Sequence, residues 1–224
     1  MIGKAKSQFS LLDGVFNRRT KKSRTDALLE KGLVLRRGTI VDATLVKAAR
    51  KKHKTDDDAP KSPQQDSAAT ATKHGKKGYF GYKGHIGVDQ GSGIIRRVRF
   101  TTASAHDATE RANLLSGDER AIFGDKGYAD DDTLKREYRS TGTYYGVLDK
   151  GRRGRPHLSA RQKKRNRRKN RIRAAVERPF AHFKHLMGYV RVRYVNLARN
   201  ALHFTFLCMI KNIRTAFALP PVKG

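Results

Sequence analysis

The chain has one cysteine, few acids and no long apolar run, and each shortage excludes a class of protein. Cys208 alone cannot build a disulfide framework, so stability has to come from a packed core, which 224 residues can supply, and a reducing cytoplasm is the expected home. Lying in "FTFLCMI", that cysteine reads as a packing residue rather than a nucleophile. No stretch approaches the roughly 20 apolar residues of a membrane span. The opening "MIGKAKSQFSLLDGVF" carries no signal-peptide pattern, and no internal repeat is present. Against 50 Lys and Arg stand only 20 Asp and Glu, a formal net charge of +30. That excess is far beyond what solubility needs and points to a polyanionic partner, nucleic acid rather than membrane. Acids are scarcest after Lys150, where Glu177 is the only one before the C-terminus.

The order of elements is read from periodicity and turn residues. "GTIVDATLV" (38–46) predicts a strand, β-branched on either side of Asp42. Residues 47–78, rich in charge, Pro, Ser and Thr, predict a flexible insertion. "YFGYKGHIGVD" (79–89) and "IIRRVRFTTA" (94–103), joined by "QGSG", predict a hairpin. Helical spacing follows at 105–115, a strand at 121–128, a helix in "DDTLKREYRS" and a strand at 142–149. From 151 to 173 there are 12 Lys or Arg and no acid, and 174–217 is mostly helical, interrupted by "GYVRVRYV". A hairpin followed by helix-linked strands predicts a three-layer α/β domain with a mixed, five-stranded sheet.

Asp42 and Asp125 each sit in or at the end of a run made for a buried strand, where an ionised carboxylate costs several kcal/mol unless it is paired or binds a metal. Taken singly, each is as well explained by backbone hydrogen bonds or a nearby cation. Together with Glu177 they suggest oxygen ligands for Mg²⁺, for which Mn²⁺ can substitute, beside a surface that holds phosphates. The bland alternative for Glu177 is an ion pair with Arg173 or Arg178. On an ideal helix at about 100° per residue, Arg173, Glu177 and Lys184 fall within about 40° of one another, although Pro179 predicts a kink in that helix.

"GTIVDATLV", "YFGYKGHIGVD", "TTASAHDA", "GDKGYAD" and "RAAVERPFAHFKHLMG" together resemble bacterial insertion-sequence transposases with a DDE catalytic domain, particularly groups four and five. The resemblance covers about 31–217. It implies an RNase H-like, retroviral-integrase-like fold and makes Asp42, Asp125 and Glu177 the catalytic, metal-binding triad. It implies that Arg173 and Lys184 contact the transposon-end DNA. The family's third acid lies in a signature of Tyr, Arg, Glu and Lys; Asn170 stands where the Tyr is usual. Also by resemblance, His85, Asp89, His106 and Asp107 lie near the site; Tyr128 is as readily an ordinary buried aromatic.

The expected organisation is a remnant of an N-terminal helical region (1–35), shorter than is usual in the family, and a catalytic domain (36–217). In the 151–173 segment Arg165, Arg167, Arg168 and Lys169 would track the DNA backbone. The expected function is cleavage at transposon ends and strand transfer on double-stranded DNA, cytoplasmic and nucleoid-associated, with a homodimer acting on paired ends. A nuclease of the same fold, an inactive remnant and a non-catalytic basic nucleic-acid-binding protein are the alternatives.

Overall fold

A computed structural model of the chain describes residues 32–49, 66–75, 77–129, 132–151, 154 and 156–219. The predicted helical stretch at 26–33, but for its last two residues, and the 50–65 part of the predicted insertion lie outside the described residues.

Strand β1 (Thr39–Lys47) is the centre of the sheet, its β-branched run suited to burial on both faces. It pairs antiparallel with β3 (Lys77–Asp89), from Thr39 opposite Asp89 to Lys47 opposite Gly81. On its other edge it pairs parallel with β5 (Ala121–Gly124), through Thr39–Ile122, Ile40–Phe123 and Val41–Gly124. Strand β4 (Ile95–Thr102) closes the predicted hairpin along the body of β3, and β6 (Tyr144–Tyr145) lies parallel to β5. This mixed sheet with helices is the α/β architecture the sequence predicts, compatible with the RNase H-like fold.

The sheet holds six strands among the described residues, not five. The extra one, β2 (Thr70–His74), lies in the segment predicted to be a flexible insertion and pairs antiparallel with the start of β3. Its residues TATKH carry no apolar alternation, because the strand is held at an edge by backbone bonds rather than by core burial.

Alternation along the strands builds the two outer layers. Ile40, Ile86 and Phe123 face one core, shared with Val176, Phe180, Phe183 and Phe204 of the C-terminal helices. Val41 and Ile122 face the other, with Leu114, Tyr128 and Val147. Helix α1 (Asp107–Glu110) and a 3₁₀ turn at Ala112–Leu114 replace the single helix expected over 105–115. The strand expected at 121–128 ends at Gly124 and passes into a 3₁₀ turn, Lys126–Tyr128. Helix α2 (Asp132–Ser140) falls where expected. The strand at 142–149 forms a two-residue ladder, but Gly146 N still donates to Ile122 O (2.6 Å) and Leu148 N to Gly124 O (3.1 Å).

Helix α3 (Ala160–Arg173) starts at a capping box in which Ser159 Oγ accepts from Gln162 N and Gln162 Oε1 accepts from Ser159 N. A 3₁₀ turn at Ala174–Val176 leads into α4 (Glu177–Ala181) and a π turn at His182–Leu186. The kink predicted at Pro179 is not a break: Arg173, Ala174, Val176, Glu177 and His182 all keep right-handed helical angles. The donor that Pro179 lacks is accommodated by the tighter 3₁₀ winding just before it. Helix α5 (Leu197–Ala218) covers β4, where the Asn212 amide both donates to and accepts from the Ile95 backbone at 2.8 Å. Phe204 of α5 packs over Gly84 of β3, where a Cβ would stand 2.6 Å from the ring. Among the described residues no helix is long and apolar enough to cross a membrane.

Candidate active site

The parallel register of β1 and β5 decides where the first two acids meet. Val41 and Gly124 are the last paired rung, so Asp42 and Asp125 are the next residues on neighbouring strands, which run about 4.8 Å apart. Two residues beyond Ile40 and Phe123, they continue the face covered by the C-terminal helices. Both oxygens of Asp42 are engaged: Ala43 N donates to Oδ1 (2.9 Å) and Arg173 Nη1 donates to Oδ2 (2.8 Å). Even so, burial pushes the Asp42 carboxyl up to about 6, with the charges of Asp125 and Asp107 adding to the rise and the Ala43 amide and Arg173 opposing it. The Asp125 carboxylate does not cap the 3₁₀ turn that follows it and takes no hydrogen bond from another described residue.

Arg173 is therefore a ligand of Asp42 in the free protein, a contact that spacing along one helix did not foretell. Glu177, one helical turn on, is exposed and has no ion pair with any described residue, Arg173 included. The 3₁₀ turn between them is anchored by Val176 in the same core as Ile40. Lys184 is exposed two turns further.

Helix α3 divides the expected DNA-binding cations. Arg167 and Arg168 are exposed. Arg165 is exposed too but pairs with Asp149 at 3.2 Å. Lys169 departs from the expectation: it is buried, donates to Val147 O at 2.7 Å and lies 3.6 Å from Asp149, so its ammonium is spent inside the protein. Burial lowers its pKa despite Asp149.

The residues expected near the site separate likewise. Asp89 is a structural acid, buried and accepting from Leu35 N, Arg36 N and Ser92 Oγ. His106 is exposed and precedes α1 without capping it. Asp107 pairs with Lys83 at 3.1 Å, and a Cβ on Gly127 would stand 3.1 Å from its Oδ2, so its carboxylate overlies the turn after Asp125. His85 is fully buried, and desolvation lowers it to about 4. Tyr128, easily passed over in the sequence, is buried, its phenol raised by burial and by the surrounding carboxylates, Asp107 first. The alternation of Lys83 and His85 in "GYKGH" was the available signal that both face Asp107.

Among the described residues no three side chains of His, Cys, Asp or Glu converge closely enough to cage an ion. The fold instead presents a pair of carboxylates whose mutual charge helps to raise Asp42. A paired, hard-oxygen donor set fits Mg²⁺, which usually takes one or two carboxylates and completes its shell with water and phosphate. Arg173 already supplies a cation at the same place.

The family model described as transposase DDE domain matches residues 34–213, spanning the six described strands and most of α5. Matched over most of its length, the chain belongs to the DDE-domain transposase family.

Proposed function

We propose that the chain is a DNA transposase that cleaves phosphodiester bonds at transposon ends with Mg²⁺ or Mn²⁺ and joins the freed 3′-hydroxyl to a second strand. The observation that carries this is the juxtaposition of Asp42 and Asp125 just beyond the last paired rung of β1 and β5. Family membership supports DNA as substrate and a divalent metal as cofactor. A bound ion would polarise the phosphate and activate the attacking oxygen. Asp42 and Asp125 would hold it from the sheet, and Glu177, exposed and unpaired, would close from the helix. Arg173 offers a planar fork suited to a phosphate as well as to Asp42. Arg167, Arg168 and Lys184, all exposed, would hold the flanking backbone. The work would take place on the nucleoid, in the cytoplasm, by a dimer holding two ends.

The test is cleavage of a duplex carrying the element's end, in Mg²⁺, by the wild type, Asp125→Asn and Glu177→Gln. Both variants should lose at least about 100-fold in rate while still binding the duplex. Joining of pre-cleaved ends separates a transposase from a nuclease of the same fold. One observation favours another reading: the Arg173–Asp42 pair neutralises the site from within, as in a non-catalytic basic nucleic-acid-binding protein or an inactive remnant. In that case no divalent ion binds, and Asp125→Asn changes nothing that can be measured.

A further inference from the structure

Behind Asp125, on the opposite face of the sheet, runs a buried chain of hydrogen bonds whose direction can be deduced. Thr101 Oγ1 lies 3.1 Å from Thr102 O, and a carbonyl only accepts, so the hydroxyl proton is committed there. His85 Nε2, 2.9 Å from the same Oγ1, must then carry a proton and donate it. Burial holds the imidazole neutral, so Nδ1 is bare and can only accept. The donor it meets is the Tyr128 hydroxyl, at 3.4 Å. Asp107 Oδ1, 3.9 Å from the same nitrogen, is beyond hydrogen-bond reach and is taken by Lys83.

Tyr128 is thus held at every polar atom. Its hydroxyl meets His85, its carbonyl accepts from the buried Arg111 at 2.8 Å, and its amide donates to Asp125 O at 2.9 Å. Its ring fills the core between Val41, Leu114, Ile122 and Val147. The 3₁₀ turn that closes on Asp125 is therefore bolted to β3 and β4 through a single side chain.

We infer that His85 and Tyr128 are positioning residues: a one-way relay, Tyr128 to His85 to Thr101 to a backbone carbonyl, fixes the turn that presents Asp125 beside Asp42. The positioning rests on the proposed role of Asp125; the direction of the relay does not. Such outer partners of a ligand commonly change metal affinity or activity about 10- to 100-fold.

Nitrogen NMR of the full chain, labelled at histidine and free of metal, reads the direction: His85 should be the Nε2-protonated tautomer, and an Nδ1-protonated one overturns the relay. Tyr128→Phe removes only the hydroxyl. It should weaken Mn²⁺ binding about 10-fold and lower kcat for end cleavage by a similar factor. KM for DNA should not change, and His85 should stay Nε2-protonated through Thr101 while its Nδ1 resonance moves as the phenol is lost. Unchanged Mn²⁺ affinity with a moved Nδ1 resonance overturns the positioning role. Thr101→Val, which cuts the far end of the relay, serves if Tyr128→Phe does not fold, and should weaken Mn²⁺ binding in the same way while releasing the His85 tautomer. The outcome for the site itself is separate: if Asp125→Asn leaves Mn²⁺ binding intact, the proposed role of Asp125 fails while the tautomer result stands.

Discussion

At Asp42, burial and two neighbouring carboxylates outweigh the backbone amide and Arg173, and the group titrates near 6 instead of 3.8. An acid whose pKa is raised by folding binds protons more tightly in the native state, so stability falls as pH rises from about 4 to about 6 and stays lower above. Asp42→Asn removes that penalty. The shift alone sets a ceiling of about 3 kcal/mol. Solvent access and the Arg173 left without its partner reduce the expected gain to about 1–2 kcal/mol. In metal-free buffer the variant should therefore melt higher than the wild type at pH 7.5, with the difference vanishing near pH 4. A lower melting temperature at pH 7.5 would mean that the carboxylate serves the fold, as the non-catalytic reading requires. The lone Glu177, by contrast, is exposed, and its proposed use begins only when something binds.

Among the elements, β1 was readable because a β-branched run buries on both faces and says so in composition, and β5 because its short run of apolar and small residues, Ala121–Gly124, is buried throughout. Asp42 inside its run and Asp125 inside or at the end of its own were readable too. The parallel pairing that sets Asp42 beside Asp125 was not, since register depends on residues some 80 positions apart. Nor was the tie between Arg173 and Asp42, 131 residues apart in sequence. Strand β2 escaped because an edge strand needs only backbone partners, and "TATKH" has no period to detect. Helix α3 was opaque in another way. In "RNRRKNRIR" every other position is a cation, so nothing marks which one turns inward until Val147 and Asp149 are seen to receive Lys169. Neighbouring cations on this helix should therefore respond differently. Lys169→Met strands the Val147 carbonyl and should cost about 1–3 kcal/mol, with little effect on the salt dependence of DNA binding. Arg168→Gln should leave stability within about 0.5 kcal/mol and reduce the salt slope by about one. Denaturant melts together with binding at several salt concentrations distinguish the two, and equal behaviour would contradict the division of α3 into a packed and a phosphate-facing side.

For the whole molecule, what an approaching polyanion meets depends on which of the charges behind the formal +30 face outward. Several of the few acids are spent internally. Asp66 accepts from Tyr82 Oη at 2.6 Å, Asp89 collects two amides and a hydroxyl, and Glu119 accepts from Ser116 N, Gly117 N and Thr39 Oγ1. All three are buried, whereas the cations at 161, 163, 164, 167, 168 and 171 are exposed along one helix. The buried cations Arg96, Arg111 and Lys169 offset these acids, so the outward excess stays close to the formal charge, and it is concentrated on the helix that runs into Arg173 and the carboxylate pair. Binding to duplex DNA should fall steeply with salt. With about 6–10 phosphate contacts the affinity drops about 10³- to 10⁵-fold between 50 and 200 mM, and a nearly flat response would remove α3 as the DNA-tracking element. Because phosphate contacts carry no base information, the slope should be the same for random duplex and for the element's own end. Recognition of the end would then appear as a parallel displacement of the line, its size reporting contacts made elsewhere than on α3; a steeper line for the end would instead mean that recognition recruits further cations to the backbone.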